Sequence, residues 1–236
     1  MTTTDAGLPA RVLAIGAHPD DIEFGCGATL ARWAREGAHV ELLVLTDGSK
    51  GSWEPEQDLA ALVATRRNEQ RAAARTLGAR GVHYLDAVDG ELEADAHRRE
   101  QVCKVIRAVR PDVVLGHDPW KRYRLHPDHR RAGELVIDGI VAARDPHFFP
   151  TAGTPHRPSR LLFFEAQEID HIEPVSEEDM KAKIDALLCH KSQWRSTMGI
   201  DINSGDVEGQ RAAFEARLRA ELNEVGGEGF KLLTEL

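Results

Sequence analysis

Two short stretches of the sequence combine histidine and aspartate in a pattern that could support metal chemistry. The first is AHPDD, residues 17–21, and the second is HPDH, residues 126–129. Imidazole nitrogens and carboxylate oxygens are good zinc ligands, and three protein ligands leave a position for water. A cation would also offset the cost of placing ionised carboxylates at the edge of an apolar core. Neither stretch contains cysteine, which favours a catalytic over a structural zinc site.

Each stretch follows a predicted strand. Residues 11–17, RVLAIGA, form a nearly continuous apolar run, which is typical of a parallel strand buried on both faces. Residues 112–117, DVVLGH, show the same pattern shortly before the second stretch. In open parallel sheets the functional crevice lies at the carboxyl ends of the strands. We therefore expect the two histidine–aspartate stretches to converge at one edge of the sheet.

Strands and amphipathic helices alternate along the chain up to residue 145. Strands are predicted at 39–48 and 81–87, helices at 28–36, 58–77 and 95–110, and a Gly-, Ser- and Pro-rich loop at 48–58. Four alternations favour a parallel sheet with right-handed crossovers. The expected fold class is α/β, with a Rossmann-like, mostly parallel sheet flanked by helices. The metal site would lie at the C-terminal edge of the strands.

The pattern is less regular after residue 145. A proline-rich segment leads to a strand predicted at 161–166, and a later helix is predicted to begin after Ser176, with Asp179 completing its capping box. No linker or internal repeat separates two domains. We expect a single domain over residues 1–236, with a core of about 10–195 and a C-terminal extension at 196–236.

Composition restricts the class of partner. The 236 residues are 42% hydrophobic and 29% charged, as in ordinary globular proteins, and the net charge of −9 argues against nucleic acid. No apolar run approaches the roughly 18 residues of a membrane span, and the first ten residues lack a secretory signal. Cys26, Cys103 and Cys189 form no CxxC pair. We expect a cytoplasmic protein with no membrane partner.

Several alternatives are open on the residues alone. Asp20 could simply cap the helix after the first stretch, and HPDH could be the capping box of the next helix. The occurrence of both stretches on one sheet edge favours the metal interpretation. A metal-dependent phosphoester hydrolase, a binding protein without turnover and a non-haem iron(II) site remain alternatives.

AHPDD after the first strand and HPDH after a later one resemble the two signature motifs of the PIG-L/LmbE-like metal-dependent N-deacetylases. Residues 65–78, TRRNEQRAAARTLG, are similar to a helix of that family, and residues 190–194, HKSQW, to a segment near its end. The resemblance covers about residues 10–195. It looks closest to the short bacterial enzymes similar to the bacillithiol-pathway deacetylases.

The resemblance implies a ligand set and a general base. A divalent metal, Zn²⁺ or else Fe²⁺ or another ion, would be bound by His18, Asp21 and His129. Asp20 would take a proton from the attacking water.

The resemblance also implies supporting roles. His126 would protonate the leaving amine or stabilise the oxyanion, and Asp128 would orient His126. Arg66 aligns with an arginine near the substrate, and Arg67 is its immediate competitor.

The implied activity is removal of an N-acetyl group from an N-acetylglucosamine-type sugar or sugar conjugate. An amidase acting on a thiol-sugar conjugate is the alternative within the family. The implied partners are a small N-acetylated substrate and further copies of the chain, in a homo-oligomer of three or six.

Four other polar residues need an interpretation. His117 and Asp118 are expected to be strand-end structure, and His190 a surface or pocket-rim residue. Tyr123 lies three residues before the second stretch, where several family members have a tyrosine two before it, so no catalytic role is expected.

Overall fold

A computed structural model describes residues 7–236 of the chain. Within them, seven strands form one sheet in the order β3-β2-β1-β4-β5-β7-β6. The strands are β1 (Arg11–Gly16), β2 (His39–Thr46), β3 (Gly81–Ala87), β4 (Val113–His117), β5 (Arg160–Phe164), β6 (His171–Glu173) and β7 (Glu228–Leu233). The helices are α1 (Asp21–Arg35), α2 (Leu59–Thr76), α3 (Ala96–Val109), α4 (Pro127–Arg144), α5 (Glu177–Leu188) and α6 (Val207–Val225).

The sheet is parallel from β3 to β5. β1 pairs with β2 on one side and with β4 on the other, so the strand order reverses at β1. Ligand crevices of open α/β sheets form at the carboxyl ends of strands around such a reversal. Both histidine–aspartate stretches follow strands at this point, which confirms the predicted fold class and the edge on which they lie.

Helices cover both faces of the sheet. Leu13 and Ile15 of β1 pack towards α3 and α4, whereas Val12 and Ala14 pack towards α1, α2 and α5. Successive side chains of a strand point to opposite faces, so a strand buried on both sides needs apolar residues at every position. This requirement explains the continuous apolar run of β1.

Most predicted elements are confirmed to within two residues, including the capping box of Ser176 and Asp179 at α5. The exception is α1, which was predicted to begin at residue 28 and begins at Asp21. The helix is broken at Cys26, and the backbone N–H groups of Ala28 and Thr29 donate to the Glu228 carboxylate. The apolar pattern of the sequence therefore predicts only the part of α1 that follows the break at Cys26.

The last part of the chain contains elements that the sequence pattern did not predict. β7 pairs antiparallel with both β5 and β6, and its Phe230 is fully buried. The residues predicted as an extension, 196–236, therefore contribute a strand to the central sheet. The first six residues, where part of the search for a secretory signal falls, lie outside the described residues. Across residues 7–236, no helix combines the length and apolarity that a membrane crossing needs.

Candidate active site

The first stretch forms a tight turn between β1 and α1. The N–H of Asp21 donates to the carbonyl of His18 at 3.3 Å, and Asp20 has a φ of 100°. Asp20 occupies the N-cap position of α1, but its carboxylate makes no capping hydrogen bond. The capping interpretation is therefore wrong for Asp20.

The second stretch begins α4. His126 is the N-cap residue, and its Nδ1 accepts a hydrogen bond from the N–H of Asp128 at 3.3 Å. The prediction that this stretch caps the helix is therefore confirmed, and the capping hydrogen bond fixes the orientation of the His126 ring. Because Nδ1 is an acceptor, the proton of the neutral ring is on Nε2, which can act as a donor.

Three side chains from the two stretches bring donor atoms together. Nδ1 of His18 lies 3.2 Å from Nε2 of His129 and 3.2 Å from Oδ2 of Asp21. Nε2 of His129 lies 3.4 Å from Oδ1 of Asp21. Ligands about 2.0–2.2 Å from a tetrahedral zinc ion would lie about 3.3–3.6 Å from one another. These residues therefore fit a divalent ion of zinc-like size.

The far side of the His18 ring is held by two carboxylates. Nε2 of His18 lies 3.1 Å from Oδ1 of Asp89 and 3.2 Å from Oδ2 of Asp128. Asp128 also accepts from the backbone N–H groups of Gly90 at 2.7 Å and Leu92 at 3.3 Å. A carboxylate behind a histidine fixes its tautomer and leaves the other nitrogen free for a metal.

A second group of donors shares His18 with the first. His18, Asp89, His126 and Asp128 each offer an atom within 4.8 Å of the others. In that group, however, Nε2 of His18 already contacts both carboxylates. The first group, His18 with Asp21 and His129, uses Nδ1 of His18 and leaves the contacts of its Nε2 with Asp89 and Asp128 intact. We therefore favour this group as the metal site.

Asp21 and His129 have the protonation states that ligands need. Burial would raise the pKa of Asp21, but the neighbouring His129 and His117 outweigh burial and hold it well below its usual range. Burial lowers the pKa of His129 to about 3. A carboxylate and a neutral imidazole therefore face each other.

His117, at the end of β4, stands directly behind Asp21. Its Nε2 lies 3.2 Å from Oδ2 of Asp21, and its Nδ1 lies 3.3 Å from Oε2 of Glu165. Glu165 also forms an ion pair with Arg124, whose Nε donates to Nδ1 of His129 at 2.8 Å. His117 thus sits at a strand end, as expected, but it also orients a proposed metal ligand.

Asp20 is buried and faces a different environment from its neighbour Asp21. Burial raises the pKa of Asp20 to about 6, despite the opposing charges of Arg66 and His190. A carboxyl group with a pKa near neutrality can accept a proton and later release it. Asp20 therefore has the properties of a general base beside the donor set.

Arg66 reaches the site and Arg67 does not. Arg66 is 3% exposed, and its guanidinium donates to the carbonyls of Pro19 at 2.6 Å and Gly48 at 2.9 Å. Arg67 forms an ion pair with Asp86 at the surface. Of the two neighbouring arginines, only Arg66 lies beside Asp20.

A pocket of about 450 Å³ opens over this cluster, within the usual size range of small-molecule sites. Its lining includes every residue to which the sequence assigned a role in the site except Asp128, which lies behind His18. The other lining residues are Phe24, Lys50, Gly51, Asp89, Gly90, Arg124, Glu165, Gln193 and Thr197.

Comparison with known proteins decides the family. The sequence profile of the family described as PIG-L, GlcNAc-PI de-N-acetylase, matches residues 13–140, which is more than half of the chain. The chain belongs to the PIG-L family. Its enzyme class is that of the metal-dependent N-deacetylases, which are hydrolases.

Several PIG-L relatives match most of the chain. It is 36% identical to the diacetylchitobiose deacetylase of Thermococcus kodakarensis over 188 residues, 78% of this chain and 70% of that protein. It is 31% identical to 1D-myo-inositol 2-acetamido-2-deoxy-alpha-D-glucopyranoside deacetylase 2 of Saccharopolyspora erythraea over 230 residues, covering 79% and 83% of the two chains. The solved N,N'-diacetylchitobiose deacetylase of Pyrococcus horikoshii superposes with a TM-score of 0.83 and 28% identity, covering 96% of this chain and 84% of that one.

One role implied by the PIG-L resemblance does not match the contacts. Asp128 was expected to orient His126, but its carboxylate contacts His18 and the backbone of Gly90 and Leu92. The reason is its position in the first turn of α4, where it faces the interior while His126 stays exposed. Asp128 thus orients His18, a proposed metal ligand, and not His126.

His190 was expected at the surface or the pocket rim, and this is wrong. It is fully buried, with Nε2 3.7 Å from Oε2 of Glu23.

Asp118 is strand-end structure, as expected, because it accepts from the N–H groups of Trp120 and Gln167. Tyr123 is 87% exposed and does not line the pocket.

Asp89 is a residue of the candidate site that the sequence analysis does not predict. It follows β3, on the same sheet edge as the two stretches, and it contacts His18 at 3.1 Å. The rule that placed the other residues, an acid just after a parallel strand, would have found it.

Proposed function

We propose that this protein removes the N-acetyl group from an N-acetylglucosamine-type sugar or sugar conjugate. The observation that carries the proposal is the convergence of His18, Asp21 and His129 beside the separate carboxylate of Asp20. The names of two relatives, for diacetylchitobiose and for an inositol-linked acetamido sugar, support this substrate class.

We propose Zn²⁺ as the metal, because two imidazoles and one carboxylate with an open position are typical of catalytic zinc. Fe²⁺ also suits such a set and remains the alternative. When bound, the ion supplies Lewis-acid chemistry, which lowers the pKa of water and polarises a carbonyl. His18, Asp21 and His129 would hold it, with Asp89, Asp128 and His117 orienting those ligands.

Asp20 and His126 would perform the proton transfer and charge stabilisation. Asp20 accepts the proton of the attacking water and, with a pKa raised to about 6 by burial, can return it to the leaving nitrogen. His126 lines the pocket with Nε2 as a donor and would stabilise the oxyanion of the tetrahedral intermediate. This assignment favours oxyanion stabilisation over proton donation for His126, because burial lowers its pKa.

Arg66 was assigned to the substrate, but both of its hydrogen bonds go to backbone carbonyls. Because Arg66 also lines the pocket, a contact with the substrate stays a prediction from the sequence. The homo-oligomer, the cytoplasmic location and the branch of the family stay predictions from the sequence.

The proposal is tested by measuring acetate release from a substrate panel with the zinc-loaded protein. The panel contains N-acetylglucosamine, diacetylchitobiose, a thiol-sugar amide and p-nitrophenyl phosphate. We expect acetate from one or both of the acetamido sugars and no phosphate release. Cleavage of only the thiol-sugar amide or only the phosphate ester would show that one of the alternative activities is correct. Asp86→Asn, a change of an exposed carboxylate, is the matched control for variants of Asp20.

A further inference from the structure

The turn His18–Asp21 has a backbone shape that its residues do not favour. Asp20 has φ 100° and ψ −26°, and the turn is closed by the hydrogen bond from Asp21 to His18. This is the pattern of a type II turn, with Pro19 at its second position. The third position of such a turn normally holds glycine or asparagine, because its φ is positive. Asp20 therefore occupies a strained position.

A less strained shape is one peptide rotation away. Type I and type II turns differ by a rotation of about 180° of their central peptide, here the one between Pro19 and Asp20. That rotation would take φ of Asp20 from 100° to about −80°, which is close to helical values and would continue into α1. Some contact must therefore keep the peptide in the observed orientation.

Two side chains of α2 contact both ends of this one peptide. Nη2 of Arg66 donates to the carbonyl of Pro19 at 2.6 Å, and Oε1 of Gln70 accepts from the N–H of Asp20 at 3.0 Å. Residues four apart lie on the same face of a helix, so both side chains approach the turn together. Gln70 is fully buried and Arg66 nearly so.

Neither side chain can adapt to a rotated peptide. After rotation the N–H of Asp20 would face the guanidinium, which has only donors. The Pro19 carbonyl would face Oε1 of Gln70, and the Gln70 amide cannot turn over because its Nε2 donates to Glu23 at 2.6 Å. Arg66 is anchored by a second bond, to the carbonyl of Gly48 at 2.9 Å. Only the observed orientation satisfies all four groups.

We propose that Arg66 and Gln70 are positioning residues that lock the Pro19–Asp20 peptide. The lock fixes the turn and hence the relation of the Asp20 carboxylate to His18 and Asp21. The kinetic consequence rests on the proposed function of Asp20, whereas the structural consequence does not. Arg66 would then act through Asp20, which is the alternative to the substrate contact that the sequence implied.

The kinetic test compares Arg66→Met and Gln70→Met with Arg67→Met, a change of the neighbouring arginine on the outer face of α2. We expect kcat of the first two variants to fall about 10²-fold, as for an ångström-scale displacement of a reacting group, with KM changed less than about threefold. The control is expected to match the wild type. A raised KM with an unchanged kcat in Arg66→Met would show a substrate contact and overturn the proposal.

The structural test is a crystal structure of the zinc-loaded double variant R66M/Q70M, with each single variant as a second choice if the double variant does not fold. We expect the Pro19–Asp20 peptide to be rotated, with φ of Asp20 negative. An unrotated peptide would overturn the proposal. This readout is independent of activity, so a rotated peptide in the double variant, together with a wild-type protein that deacetylates nothing, would refute the proposed function and leave the lock intact.

Discussion

Asp20 and Asp21 are neighbours in the sequence with opposite electrostatic surroundings. Burial raises the pKa of Asp20 to about 6, whereas His129 and His117 outweigh burial at Asp21 and hold its pKa well below the usual range. Carboxylates whose pKa values are pushed apart by their environments take different chemical roles. We therefore assign metal binding to Asp21 and proton transfer to Asp20.

Substitutions should separate these two roles. Asp20→Asn keeps the size of the side chain but removes the base, so we expect kcat to fall by about 10²–10⁴-fold with the metal content unchanged. His129→Ala should lose both metal and activity. Acetate release and elemental analysis of the purified variants measure the two quantities. Loss of metal from Asp20→Asn would show that it is a ligand.

The residues of the candidate site were predicted to very different degrees. His18, Asp20, Asp21, His126 and His129 converge as expected, because two motifs after parallel strands must meet at one edge. The partners of each side chain could not be predicted, since they depend on burial and distances of a few ångströms. For this reason Asp128 and His190 were given the wrong surroundings, and the contact of Gln70 with Asp20 was missed.

At the scale of elements, the break in α1 is stabilised by the distant strand β7. The Glu228 carboxylate accepts from Ala28 at 3.1 Å, from Thr29 at 2.7 Å and from Nζ of Lys183 at 2.6 Å, and all of these contacts are buried. Removing one member of a buried charge pair leaves the other uncompensated. Glu228 therefore joins the last strand to the first helix of the fold.

Glu228→Ala should lower the free energy of unfolding by about 3–5 kcal/mol. The change leaves Lys183 without its buried counter-charge and leaves two buried backbone N–H groups without an acceptor. Urea denaturation measures this change. Glu224→Ala, at an exposed position of α6, is the control and should change stability by less than about 0.5 kcal/mol. A loss of equal size in both variants would contradict the role of Glu228.

Glu173, at the end of β6, should make stability depend on pH. Burial would raise its pKa, but the hydrogen bond from His171 and the charge of Arg32 lower it. A carboxyl group whose pKa is lower in the folded state stabilises the protein above its unfolded pKa of about 4.3, and this contribution is lost as pH falls through the folded pKa.

Glu173→Gln should therefore lower Tm at pH 7, and its difference from the wild type should shrink as the pH falls from about 4.3 through the folded pKa. Thermal unfolding followed by circular dichroism measures the difference at each pH. Glu224→Gln provides the exposed control. A Tm difference that stays constant or grows as the pH falls would contradict a stabilising ion pair between Glu173 and Arg32.

Elements with a strong period were predictable, and those stabilised by distant partners were not. β1, β2 and β4 are largely buried and appear as apolar runs, whereas β6 has three residues and α6 buries only Phe214 and Leu218. β7 pairs with two strands that precede it by about 60 residues, a contact that no local pattern encodes.

For the whole molecule, we propose that residues 1–236 form a single domain. β7 lies between β5 and β6, and Phe230 packs into the same apolar layer as α1 and β2. No boundary at residue 195 divides the sheet from the rest.

A chain that ends at residue 195 should consequently fail to fold cooperatively. It would lose β7, expose the edge of β5 and leave Lys183 without Glu228. Circular dichroism melting of the truncated and full chains compares them directly. A cooperative transition at the same Tm in both would show that the last segment is a separate appendage.

The proposed function depends on one divalent ion held between the two histidine–aspartate stretches, and anomalous X-ray diffraction at the zinc edge tests this directly. For zinc-loaded crystals we predict a single strong peak about 2.0–2.2 Å from Nδ1 of His18, the Asp21 carboxylate and Nε2 of His129, with Asp20 uncoordinated. A peak among His18, Asp89, His126 and Asp128, or no peak in the pocket, would contradict the account.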